Sequence, residues 1–295
     1  MSVSTYLLGV MFALSSGISR NLGLLLQKNE VNKIRTEDKM IKKLTKNPLW
    51  ISAIFLQMGL GSIFYILAQI FIGPALIPGL LASGLIILTF GSVHLIGEEL
   101  SIKETLAIVG IITAISLIGF SGLSIDIRQT DFLNLFFTVR LILFTVSFFS
   151  FAIIFEIIQR KREQQTGIYL ALISGLMFSL TNLWISPLIG VFGRVFSGNF
   201  LLEELIYFIL SSILVIVTMV LGVVKLAQGF KYGQASHLVP IQNVPLQISP
   251  AIIYFFVFLL IPPNFLSVFL FLTGIIMILI GSIVLGKNQS KSRIF

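Results

Sequence analysis

The stretch from Ala227 to Pro250, AQGFKYGQASHLVPIQNVPLQISP, decides how the rest of the chain is read. It opens an apolar segment that continues to about Leu260, long enough to cross a bilayer. Yet it carries Ser236, His237, Gln242, Asn243 and Gln247, with prolines at 240, 245 and 250. Each proline removes one helix hydrogen bond, so the carbonyls of Ser236, Ile241 and Leu246 lose their usual donors. Hydrocarbon offers no replacement, so protein, water or a ligand must supply one. A polar, proline-broken span is where a solute site is expected. The alternative is a helix kinked for packing, with its amides bonded to neighbouring spans. Burying several unpaired amides would cost about 1–3 kcal/mol each, which favours a site for the cluster as a whole.

Hydrophobic residues fill 56% of the 295 positions, charged residues only 11%, and the mean hydropathy is +1.03. A soluble domain is about a quarter charged, so this composition belongs to a polytopic helical membrane protein. The apolar runs are continuous rather than alternating, which excludes a β-barrel. The absence of cysteine excludes disulfides, thiolate metal sites and cysteine nucleophiles. Met1 to Thr5 carry no positive charge, so a cleaved signal peptide is not expected. The net charge of +8 gathers in short loops beside spans, where it sets orientation, and does not point to nucleic acid.

Nine spans are expected, at about 5–27, 48–71, 74–96, 104–123, 133–158, 167–189, 205–228, 233–260 and 265–286. With the amino terminus outside, inner loops and tail hold sixteen basic residues and the outer loops only Arg128 and Arg194. That imbalance places both the first residue outside and the carboxyl terminus in the cytoplasm, most simply in the cell membrane. The loop from Lys28 to Asn47 is an ordinary basic inner loop, with an amphipathic helix on the headgroups as the alternative.

The chain also resembles itself. Gly9-Val10-Met11-Phe12-Ala13-Leu14-Ser15 matches Gly175-Leu176-Met177-Phe178-Ser179-Leu180-Thr181 at an offset of 166. Ala68-Gln69 through Ala75 matches Ala227-Gln228 through Ala235 at 159 to 160, and Pro78 and Gly119 match Pro240 and Gly281 at 162. Residues 1–123 and 167–295 therefore read as two four-helix copies joined by a linker helix in 124–166. An odd number of spans separates their starts, so the copies enter from opposite sides. The fold expected is all-α, about nine transmembrane helices in a 4+1+4 inverted repeat, an arrangement common in carriers that expose a site to each side in turn.

On these residues the chain resembles the drug/metabolite transporter superfamily, particularly its nine-span, NIPA-type magnesium transporter branch. The resemblance rests on Asn47-Pro48-Leu49-Trp50, Gly73-Pro74-Ala75 with Pro78, Gly97-Glu98-Glu99, and Gly110 with Gly119. In the second copy it rests on Gln234-Ala235-Ser236, Val239-Pro240-Ile241, Gly274 and Gly281. It implies membrane transport of magnesium, and a structural or gating role for Glu98. The second copy departs from the first by offering Ile261-Pro262-Pro263 where a carboxylate like Glu98 would stand.

The candidate substrate-binding residues are Ser16, Arg20, Asn182, His237, Asn243 and Gln247, with Pro78, Pro240, Pro245 and Pro250 as helix-breaking residues. Ser16 and Arg20 share one face of the first span, and Arg20 lies roughly 10 Å from its inner end. It either snorkels to headgroups or marks a pathway. Asn182 is expected at the repeat position of Ser16, while Ser179 and Ser186 read as interhelical glue. His94 reads as interfacial, Glu156 as an interfacial ion pair, and Arg140 as snorkelling or meeting Asp126 or Asp131.

No carboxylate is expected at mid-depth, and magnesium sites generally use carboxylate oxygens. The residues themselves therefore favour a secondary transporter of a small neutral, zwitterionic or anionic metabolite. A magnesium or other divalent cation transporter, as the resemblance implies, is the alternative, and a non-transporting membrane scaffold is a third reading. No motif for a cofactor or for enzymatic chemistry is present, and metal ligands are not identifiable. The partners expected are membrane lipids and a small-molecule or ionic substrate, with no nucleic acid; a homodimer stays open.

Overall fold

A computed structural model describes residues 3–34, 40–72, 80–81, 84–121, 134–262 and 264–292, and every regular element among them is helical. Helix α1 is Val3–Asn32 and the short α2 is Met40–Leu44; α3, Pro48–Ile54, runs through a π-turn at Phe55–Leu60 into α4, Gly61–Ile72. Next come α5, Gly84–Gly91, which ends in a π-turn at Ser92–Ile96, and α6, Ile102–Phe120. The linker α7 is Leu135–Lys161, followed by α8, Thr166–Phe196, and α9, Leu202–Phe230. Helix α10, Ala235–Ile252, ends in a π-turn at Ile253–Val257, and α11 is Phe265–Ser292.

Among the described residues, each expected span holds a helical stretch. Six are long and apolar enough to cross a membrane, and Gly84–Ile96 is a shorter apolar helix. Local chemistry starts them where the loops end. Asn47 accepts at Oδ1 from the amides of Leu49 and Trp50, with Pro48 in the first turn, where its missing N–H costs nothing. Asn134 caps α7 and Ser101 with Glu104 forms a capping box on α6.

One expectation is corrected here. Helix α10 runs unbroken through Pro240, Pro245 and Pro250. The three rings stand five residues apart, so intact helix bonds between them carry the backbone past each lost one. Its neighbour makes room: a Cβ on Gly175 of α8 would lie 2.3 Å from the Gln242 carbonyl oxygen and 3.0 Å from the Pro245 ring. Only glycine lets the two helices meet there. Pro78 lies outside the described residues.

Contacts within residues 3–121 recur within 166–292 in a nearly constant register. Ser16 of α1 donates to the Gly61 carbonyl at 2.6 Å, and Ser174 of α8 donates to the Gly222 carbonyl at 2.7 Å. One turn on, the Arg20 stem lies over Gly61 and the Phe178 ring over Gly222. Asn21 donates back to the Gly17 carbonyl as Ser179 does to that of Gly175. Gly17 abuts the backbone of Leu81 as Gly175 abuts that of Gln242. The offset is 158 along α1 and α8, and 161 for their partners. The π-turns at Ser92–Ile96 and Ile253–Val257 differ by 161 as well, and left-handed residues follow both, Gly97 at φ 75° and Leu259 at φ 53°. Ser16 therefore pairs with Ser174 rather than with Asn182, and Arg20 with Phe178.

Helices α6 and α11 pack along each other through Gly274 against Ala114 and Ile118, and Gly281 against Ala107 and Ile111. The largest apolar core joins both groups of helices at the lysine-rich end of the bundle: Leu24, Leu25, Val31 and Leu44 meet Ala171, Leu226, Phe230 and Leu238. A second core, around Phe144, Leu180 and Trp184, is built by α7, α8 and the π-turn after α10, with Tyr207, Leu214 and Val215 of α9 packed against it.

Candidate functional site

Polar side chains gather where the large core reaches the lysine-rich face. The turn between α9 and α10 is held from both ends by charges of the first group of helices. Lys28, buried at the end of α1, donates from Nζ to the carbonyls of Phe230 at 2.5 Å and Gly233 at 2.8 Å. A cation there answers the partial negative charge at the end of α9. Glu98, buried just beyond α5, does the converse at the start of α10. Its Oε1 accepts from the Ala235 amide at 2.7 Å, and its Oε2 accepts from the Ser236 amide at 3.1 Å and hydroxyl at 2.6 Å. Helix N-termini leave amides without intrahelical partners, and a carboxylate satisfies them while complementing the dipole. Lys231 also donates to the carbonyl of Ile34.

His237 stands one residue further into α10 and is 98% buried, its relative exposure being 2%. Its Nε2 lies 3.0 Å from Oε1 of Glu104, at ion-pair distance though not aligned as a hydrogen bond, and its Nδ1 has no hydrogen-bond partner. Glu104 accepts at its other oxygen from the Ser101 amide at 2.6 Å. The arrangement ties α5, α6 and α10 into one buried polar seal.

The expected site residues stand in differing surroundings. Ser16 is fully buried and engaged with Gly61, so it fastens α1 to α4. Arg20 is exposed, its stem crossing Gly61 and its charge within electrostatic reach of Tyr65. Asn182 is exposed on α8 and Asn243 half-buried on α10. Gln242 is spent on Ser174, donating from Nε2 at 2.9 Å. Gln247 and Pro250 lie within α10, but their side chains fall outside the described residues. His237 belongs to the seal. Glu156 forms its ion pair, with Lys225 at 2.6 Å, and His94 is exposed, stacked on Phe90. Arg140 keeps a buried Nε without a hydrogen-bond partner, and Asp126 and Asp131 lie outside the described residues.

Lys28 and Glu104 were not among the candidates. The Ser101-x-x-Glu104 spacing marks a helix start and so a carboxylate held at that end of α6, but nothing local places Lys28 against residues about two hundred positions away. Among the described residues no group of three His, Asp or Glu side chains is arranged to hold a metal ion.

No curated protein and no solved structure matches the chain. The family model described as Magnesium transporter NIPA matches residues 4–291, taking in every helix from α1 to α11. The chain belongs to the NIPA magnesium transporter family and is an integral membrane transporter.

Proposed function

We propose that the protein moves magnesium, or a closely similar divalent cation, across the membrane by alternating access between two inverted halves. The observation that carries this is the match to the magnesium transporter family over residues 4–291. The metabolite reading rested on Arg20 together with amides and hydroxyls, and two of those, Ser16 and Gln242, are committed to helix–helix bonds. Magnesium dehydrates reluctantly and keeps several waters. A hydrated ion can be passed along neutral oxygens, so the lack of a three-residue metal cluster among the described residues is compatible with it as cargo. Asn182, Asn243 and Gln247 are the proposed neutral donors along the route, and Glu98 with Glu104 makes the lysine-rich mouth locally acidic.

In this reading residues 1–123 and 167–295 are the two halves, 124–166 the linker, and the recurring contacts support the pairing. The lysine-rich face is cytoplasmic, the amino terminus external, and the membrane that of the cell. The test is ion flux into proteoliposomes loaded with a magnesium-sensitive dye. Saturable magnesium entry is expected, and Arg20→Ala is expected to preserve or raise it, because the change removes a positive charge from the bundle. Absence of flux for magnesium, manganese and cobalt, with uptake of an anionic or zwitterionic solute abolished by Arg20→Ala, would overturn the proposal.

A further inference from the structure

We propose that Glu98 is the latch of the lysine-rich mouth, and that breaking its bonds to α10 is the step that opens the bundle on that side. The inference rests on the transport reading above, which supplies the need for a mouth that opens. Three observations place the latch. Glu98 reaches across from the first group of helices and ends on two amides and one hydroxyl of the second. It leaves the left-handed turn at Gly97, so its position is set by the backbone rather than by a flexible arm. Its chain neighbours Ile96 and Leu100 pack against the apolar core that joins the two groups, and Ala235, which it holds, is part of that core, so this mouth cannot open while its bonds hold.

The internal register shows that the device is one-sided. The Glu98 amide donates to the Ser92 carbonyl at 3.0 Å, and the Leu260 amide donates to the Tyr254 carbonyl at 3.1 Å, an offset of 162 at both ends of the bond. Leu260 thus occupies the position of Glu98, after the same π-turn and left-handed residue, and offers no acceptor to a helix N-terminus. One mouth of the transporter carries an anionic latch, and the equivalent element of the other does not. Loss of Glu98 therefore biases the conformational equilibrium in a single direction, toward the state open at the lysine-rich face.

Glu98→Gln tests this, because it keeps the shape but replaces one acceptor oxygen with a donor. In either orientation the new NH₂ group faces a backbone amide, Ala235 or Ser236. The chain has no cysteine, so single reporters can be introduced cleanly. Val239→Cys lies about one turn into α10 from the latched residues, within the joining core, and Leu180→Cys lies in the second core, of α7, α8, α9 and the π-turn after α10. Both are labelled with a hydrophilic maleimide in nanodiscs, where both faces are accessible. Glu98→Gln is expected to speed labelling at 239 by about tenfold or more, the ratio that a lost charge-assisted hydrogen bond sets, and to leave 180 protected. Ser236→Ala, which removes one of the three bonds, is expected to fall between. Unchanged labelling at 239, or equal acceleration at both positions, overturns the latch, the second outcome meaning a merely loosened fold. If position 239 responds as expected while proteoliposomes carry no divalent cation, the latch stands and the cargo assignment fails.

Discussion

The closest approaches in the bundle make a sharp prediction. A Cβ added at Gly84 of α5 would lie 2.2 Å from the Gly17 carbonyl oxygen of α1, and one at Gly175 of α8 would lie 2.3 Å from the Gln242 carbonyl oxygen of α10. A carbon and a carbonyl oxygen normally approach to about 3.3 Å, so alanine at either site overlaps by about 1 Å. The obstacle is backbone, and no side-chain rotation relieves it; one helix must move. Overpacking of this kind costs about 1–3 kcal/mol. Gly84→Ala and Gly175→Ala should each lower the detergent melting temperature by about 3–10 °C on the scale of soluble domains. Gly110 supplies the control, since its Cβ would meet nothing within 4 Å. Alanine there gains helix propensity of about 1 kcal/mol and should hold or raise the melting temperature. Thermal unfolding of the three purified variants decides the matter. If Gly84→Ala and Gly175→Ala melt like Gly110→Ala, the close helix approaches and the pairing built on them are wrong.

Leu259 adopts φ 53° while largely exposed, a conformation that disfavours a β-carbon by about 1–2 kcal/mol. Leu259→Gly should therefore raise stability, and a lower melting temperature would show that the leucine's contacts outweigh its strain. Lys28→Met removes two charged hydrogen bonds from the carbonyls of Phe230 and Gly233. It should destabilise by about 1.5–3 kcal/mol, read as the urea or thermal midpoint of purified protein, and a midpoint within error of the parent would refute the buried cap.

Much of the architecture was legible because apolar length is a one-dimensional signal. Helices stand along the apolar runs, while the contact register of 161 differs by one or two residues from the junction offsets of 159 to 162 and sets Ala68 against Gly229 rather than Ala227. Along the first and sixth spans the sequence match chose 166 instead of 158. Gly9 to Ser15 and Gly175 to Thr181 look alike because both are apolar, and lipid accepts such residues on any face. What identifies the true partners is a hydroxyl on a particular carbonyl, Ser16 on Gly61 and Ser174 on Gly222, which composition does not encode. The polar residues of α10 were visible as a cluster, but His237 and Ser236 turned out to face Glu104 and Glu98, from the opposite half of the chain. A proline-rich helix was read as a broken one, and the glycine it packs against, Gly175, lies in a different helix.

Once the register is set, the places where equivalent positions differ in chemistry become informative. The shared contacts, serine on carbonyl, glycine against backbone and π-turn before a left-handed residue, serve the fold and recur in both halves. Arg20 answers to Phe178, the Gly23 and Gln57 contact answers to Thr181 bonded to Thr218, and Glu98 answers to Leu260. Packing cannot demand these differences, because the same backbone accepts the other residue in the other half. An aromatic ring covers Gly222 as an arginine stem covers Gly61, so the guanidinium is dispensable for closing that helix pair. A leucine follows the second left-handed turn as a glutamate follows the first, so the carboxylate is dispensable for making the turn. Arg20 and Glu98, both in the group of helices that also contributes Lys28, thus carry charge where the other group has Phe178 and Leu260. Were the halves inverted as proposed and identical, both sides of the membrane would be treated alike; Arg20 and Glu98 are where the two differ in charge.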